Sequence, residues 1–143
     1  MQQDQMITQA TSILAFVKGV KGLPTLMNYG CSDDGAVEGL DWKFKDKEEF
    51  IDNLNLPVCT QSLLQRKLRE VYNIHVAANT NFYNKKEMLG YYYSIDKFDK
   101  YNIHDGKDYD LSQLELIGEK KAFDSFEEAL EVGLSEGLSL IKN

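Results

Sequence analysis

The sequence contains no apolar run of 18 residues, so no membrane-spanning helix is expected, since a span takes about 20 mostly apolar residues in succession. Cysteine is scarce. Cys31 and Cys59 stand far apart, outside any C-x-x-C pair and away from histidine at ligand spacing, which removes a disulfide framework and a zinc site and leaves buried or half-buried free thiols in a reducing compartment. Histidine is limited to His75 and His104, and no G-x-G-x-x-G, P-loop or H-E-x-x-H pattern occurs. No Lys or Arg precedes the first apolar stretch, so the N-terminus lacks the positive region of a signal peptide and a cytoplasmic protein is expected. Excess positive charge is missing too. Sixteen basic residues against 23 acidic ones give a formal charge of −7, which disfavours generic attraction to nucleic acid or to an anionic membrane. Lys and Arg are interspersed among the acids, which argues against mimicry of nucleic acid.

What is present suffices for a core. With 43% hydrophobic and 11% aromatic residues and only two prolines, a chain of this length buries about two-thirds of its unfolded surface, enough to offset the entropy of ordering. One domain over 1–143 is expected, α+β in class. Residues 1–56 read as a helix followed by an irregular part. Residues 57–143 read as a core in the order helix, strand, strand, candidate third strand, helix. The sheet is expected to be antiparallel, of about three strands packed by two long helices, with the N-terminal helix as an extra element.

Residues 1–22 predict an amphipathic helix with Ile7, Ala10, Ile13, Leu14, Val17 and Val20 on its inward stripe, stopped by Gly19, Gly22 and Pro24. Leu26 to Tyr29 and Leu40 to Phe44 are expected as short strands around the turn cluster 31–35. Asp46 caps a short helix with Phe50, Ile51 and Leu54 inward. Thr60 or Ser62 caps a longer helix to about Tyr72, with Leu64, Leu68, Val71 and Tyr72 on one face and Arg66 and Arg69 on the other, closed by Asn73. A strand starts at Ile74, turn material is expected at 79–81 and 84–86, and Glu87 to Ile95 alternates as a strand with Leu89, Tyr91, Tyr93 and Ile95 on one face. Residues 98–111 read as a loop and Leu114 to Ile117 as the candidate third strand. The last helix is capped by Asp124 or Ser125, the latter in a capping box with Glu128. Along it Ala129, Gly133 and Gly137 fall four apart, leaving a bare ridge for close packing on the sheet or on the other long helix.

The stretches Pro57 to Ile74 and Phe123 to Leu134 resemble the two signature blocks of small uncharacterised proteins of phages, prophages and mobile elements of gut bacteria, and Met6 to Ala10 resembles their usual start. The resemblance implies a cytoplasmic α+β protein of phage or mobile-element ancestry. It supplies no activity, cofactor or catalytic residue.

The residues themselves point away from chemistry. His75, between Ile74 and Val76, is expected on the face of its strand away from the core, and His104 in a loop beside Asp105-Gly106. Asp108, Asp110, Ser112 and Glu119 have calcium-loop spacing, but Gln113 stands where that loop needs Gly. The helix and strand order is that of a double-stranded-RNA-binding domain, and Arg66, Lys67 and Arg69 fit its first helix. Its last helix must open on cations, whereas here it opens on Asp124, Glu127 and Glu128.

The leading expectation is a non-enzymatic interaction protein with no cofactor, metal or catalytic residue. Seven of the eight tyrosines lie between residues 72 and 109, and Tyr83, Tyr92 and Phe98 are the candidates for an exposed aromatic surface; the competing expectation has that sheet face covered by residues 23–55. The ridge Arg66/Arg69 is the other candidate. The partner is a protein or a second copy. A nucleic-acid accessory factor using Arg66, Lys67, Arg69, Lys85 and Lys86 is the alternative, and an enzyme using Cys59, His75 or His104 the least favoured reading.

Overall fold

The structure is a computed structural model that describes residues 4–84, 87–97 and 123–142, with residues 81–84 and 87–89 described by backbone alone. Its centre is a hairpin of β1 (Ile74–Asn84) and β2 (Glu87–Lys97), paired antiparallel with Val76 opposite Ile95 and Ala78 opposite Tyr93. Period-two alternation turns Ile74, Val76, Ala78, Tyr93 and Ile95 to one buried face. Against that face pack α3 (Gln61–Tyr72) and α4 (Phe126–Ser139), and α1 (Gln9–Val17) packs on α4 in turn. A 3-10 turn at Leu26–Asn28 and α2 (Lys47–Asp52) complete the described elements, so the class is α+β with, among the described residues, four α-helices and a two-stranded antiparallel sheet.

Each helix begins where a side chain can accept a hydrogen bond from an otherwise orphaned amide. Thr8, Asp46, Thr60 and Ser125 accept from the amides of Thr11, Glu49, Leu63 and Glu128. Helix α3 stops at Asn73, whose left-handed φ of 56° is one that asparagine tolerates better than most residues. The bare ridge of α4 lies on the sheet as its spacing predicts. A Cβ at Gly133 would stand 2.9 Å from both Tyr93 Cβ and Val76 Cγ1, and one at Gly137 2.9 Å from Val76 Cγ2.

The N-terminal third is stitched to the segment that leads into α3. Ile7 N donates to Cys59 O at 3.0 Å, Gln61 N to Gln5 O at 2.7 Å, Leu26 N to Leu56 O at 2.9 Å and Val58 N to Pro24 O at 2.8 Å. Trp42 Nε1 donates to Ile7 O at 3.2 Å. Trp42, Phe44 and Phe50 thereby join the same buried cluster as Leu64, Leu68, Leu134 and Leu138.

Several expectations are corrected. Helix α1 is shorter than 1–22, and Ala10, Ile13 and Val17 face outward while Thr11, Ser12 and Ala15 are buried. Ile51 and Val71, assigned inward, are exposed. Leu26 to Asn28 form a 3-10 turn rather than a strand. The segment 31–43 makes only isolated bridges, Cys31 with Val37 and Ala36 with Lys43. It closes tightly at Gly35, whose positive φ and close approach to Phe44 O leave no room for a side chain. Residues 79–81 continue β1 instead of turning, because cross-strand partners Tyr92, Tyr91 and Gly90 hold them in register. The loop over 98–111, the candidate strand over Leu114–Ile117 and the calcium-spaced residues lie outside the described residues.

Candidate functional site

The aromatic and basic residues singled out from the sequence do not assemble into one site among the described residues. The tyrosine triplet is split by the pleat. Tyr91 stands edge-on to Phe126, ring centroids 6.4 Å apart, and Tyr93 lies beside Phe123 at 6.1 Å, both on the helix-covered side. Tyr92 alone of the three turns to the second face, half-buried, opposite Asn79. Neither the 3-10 turn nor α2 is among the elements that pack on the sheet. The side chain of Tyr83 and the whole of Phe98 lie outside the described residues.

Arg66 and Arg69 are exposed on α3 as expected. Arg66 Nε lies 3.7 Å from Glu70 Oε1, an open i,i+4 pair of little energetic weight. Lys67 departs from this ridge, its Nζ lying 2.8 Å from the position of a Cβ on Gly22. His75 is half-buried opposite Asp96, and its pKa is lowered by burial first and by the charge of Arg69 second, with Asp96 opposing both. Cys59 is buried and its thiol is pushed up to about 12, mainly by burial and then by the negative charges of Glu131 and Asp4. A thiol so held is a packing group and not a nucleophile. His104, the third candidate for chemistry, lies outside the described residues.

Among the described residues Glu131, on α4, gathers several hydrogen bonds. Its Oε2 accepts from Thr8 N at 3.0 Å, Thr8 Oγ1 at 2.9 Å and Thr11 Oγ1 at 2.5 Å, and its Oε1 accepts from Gln61 Nε2 at 2.9 Å. Gln61 Nε2 also reaches Glu127 O at 2.9 Å. The carboxylate thus sits at the positive N-terminus of α1 and ties α1 to α3 and α4. One turn on, the buried Ser12 Oγ donates to Pro57 O at 2.5 Å. Among the described residues no buried side-chain N or O lacks a partner, so this network reads as a structural pin.

The pin decides which side of α1 faces inward. Thr11, Ser12 and Ala15 meet the core; of the expected stripe Ile7 and Val20 are buried and Leu14 half-buried, while Ile13, Phe16 and Val17 turn outward, 46%, 52% and 60% exposed. Steps of three and four residues place these three side by side on one helical face. Beyond the helix end lies a groove of about 390 Å³ lined by Phe16, Val20, Lys21, Leu23, Asn55 and Pro57 among others. The sequence signal for this surface was available in the polar Thr11-Ser12 pair inside the stripe, but only their tertiary partners show it to be the buried side. Comparison of the chain with protein-family models, with curated proteins and with solved structures finds no match in any of the three.

Proposed function

We propose that the protein acts by binding another protein and performs no chemistry of its own, as a phage or mobile-element accessory protein in the cytoplasm. The observation that carries this reading is the outward apolar face of α1. Three large apolar side chains on one helical face are a contiguous surface that water solvates poorly, and full burial of each is worth about 1.5–3 kcal/mol. The half-buried second sheet face around Tyr92 is a secondary contact area on the same reading. The ancestry rests on the resemblance of Pro57 to Ile74 and Phe123 to Leu134 to phage-protein blocks.

The nucleic-acid reading has less behind it. Arg66 faces Glu70 and Lys67 lies over Gly22, so the basic ridge is shorter than the sequence suggests. A photo-crosslinking amino acid at position 13, compared with one at the exposed position 47, tests the proposal in the cell that makes the protein. The expected result is a discrete protein adduct from position 13 and none from 47. Adducts equally frequent from both positions, or none from 13, would overturn it.

A further inference from the structure

The groove at the end of α1 is lined without a single acidic residue. Residues 5–32 contain no Asp or Glu although the chain carries 23, and residues 53–69 contain none either. Every residue lining the groove comes from these two acid-free stretches: Phe16, Val20 and Leu23 from the first, Asn55 and Pro57 from the second, with Lys21 as the lining cation. Lys67, whose Nζ lies against Gly22, adds a second positive charge at the rim. In a protein of formal charge −7, a groove of mixed polar and apolar walls thus has no acid among its lining residues and two lysines beside it.

We infer that this groove receives a large apolar side chain carried on an acidic segment of a partner protein. The inference rests on the interaction reading above and names the chemistry of the partner. Phe16, Val20, Leu23 and Pro57 supply the apolar part of the walls, and Lys21 and Lys67 meet carboxylates of the segment that carries the inserted residue. A volume of about 390 Å³ is ample for one aromatic or leucine side chain and part of its backbone. Charge complementarity selects the acidic flanks, since like charges at the rim would repel and opposite ones steer the encounter. A lipid surface fits less well, because the site is concave.

A random peptide display library panned on the immobilised full chain tests this directly. Enriched sequences are expected to place Asp or Glu next to Phe, Trp or Leu. A synthetic copy measured by fluorescence anisotropy should bind about tenfold more weakly to Phe16→Ser and to Lys21→Glu, and more weakly as salt is raised. Phe16 and Lys21 are both exposed, so the variants are expected to keep the parent circular dichroism and melting temperature. If one of them fails to fold, Phe16→Tyr and Lys21→Gln, which keep the local shape, serve as replacements with the same direction expected.

Selected peptides without acids, or peptides indifferent to both substitutions, overturn the inference. So does tighter binding to phosphatidylglycerol vesicles than to any peptide, which would make the groove a lipid site, or a dimer in light scattering that Phe16→Ser abolishes, which would make the occupant a second copy. A discrete crosslink from position 13 that survives in Lys21→Glu would leave the interaction reading standing while the acidic-segment inference falls. Absence of both crosslinks and peptide binding would remove the two together.

Discussion

At the scale of single residues the two cysteines separate by environment. Cys31 is half-exposed and Cys59 is buried, with its pKa raised from 9.0 to about 12. The folded chain therefore holds Cys59 as a neutral thiol where the unfolded chain ionises it. That contribution to stability is whole below pH 9 and is lost as pH climbs toward 12. Titration with Ellman's reagent at neutral pH is expected to modify Cys31 in the native protein and both thiols only in denaturant. Rapid reaction of Cys59 in the native state would show the thiol to be more open than its burial implies. Replacing Cys59 with Ala should flatten the alkaline loss of stability, read from urea midpoints across that pH range. That these thiols are free was legible from their spacing. Which of the two is sealed was not, because the seal is made by residues distant in sequence.

At the scale of elements, α4 and α1 show opposite degrees of legibility. The four-residue spacing of Ala129, Gly133 and Gly137 announces a close packing ridge, and Val76 and Tyr93 lie against it. Gly133→Ala gains about 1 kcal/mol in helix propensity, yet its Cβ would press on Tyr93 Cβ and Val76 Cγ1 at 2.9 Å. Overpacking of this kind costs about 1–3 kcal/mol, so the variant is expected to be less stable in urea denaturation despite the better helix former. A gain in stability would mean that α4 can lift off the sheet at little cost. Around helix α1 the expected inward stripe holds at Ile7, Leu14 and Val20 and fails at Ala10, Ile13 and Val17, which periodicity alone allows on the inward face. Thr11 and Ser12 take that place because Glu131 and the Pro57 carbonyl satisfy their hydroxyls. Hydroxyls buried without those partners would cost about 1–3 kcal/mol each.

At the scale of the whole molecule, Glu131 connects the parts that the sequence divides. It accepts from Thr8 and Thr11 on the N-terminal side and from Gln61 at the start of α3. Glu131→Ala removes the acceptor of the Thr8 and Thr11 donors and leaves Gln61 Nε2 with Glu127 O alone, in a part-buried site, at a cost of about 1–3 kcal/mol. The expected outcome is a lower urea midpoint, with a change in Trp42 fluorescence, since Trp42 Nε1 donates to Ile7 O at the entry to α1. Glu131→Gln retains one acceptor and should fall between the parent and the alanine variant. Equal stability of all three would show that α1 docks by packing alone.

The sequence by itself determined the α+β class, the helix cap at Asp46, a choice of two caps for each of α3 and α4, the bare ridge of α4 and the strand that alternates through Tyr91, Tyr93 and Ile95. These follow from local hydrogen-bond capacity and from periodicity, both of which are written in neighbouring residues. The tertiary structure decided which face of α1 is buried, where Tyr92 points relative to Tyr91 and Tyr93, how far the basic ridge of Arg66 and Arg69 extends, and that an acid-free groove forms in an acidic protein. Those outcomes depend on partners far along the chain: Glu131 for Thr8 and Thr11, Pro57 for Ser12, Gly22 for Lys67. A polar group goes inside only when such a partner meets it, and no local pattern records whether one will.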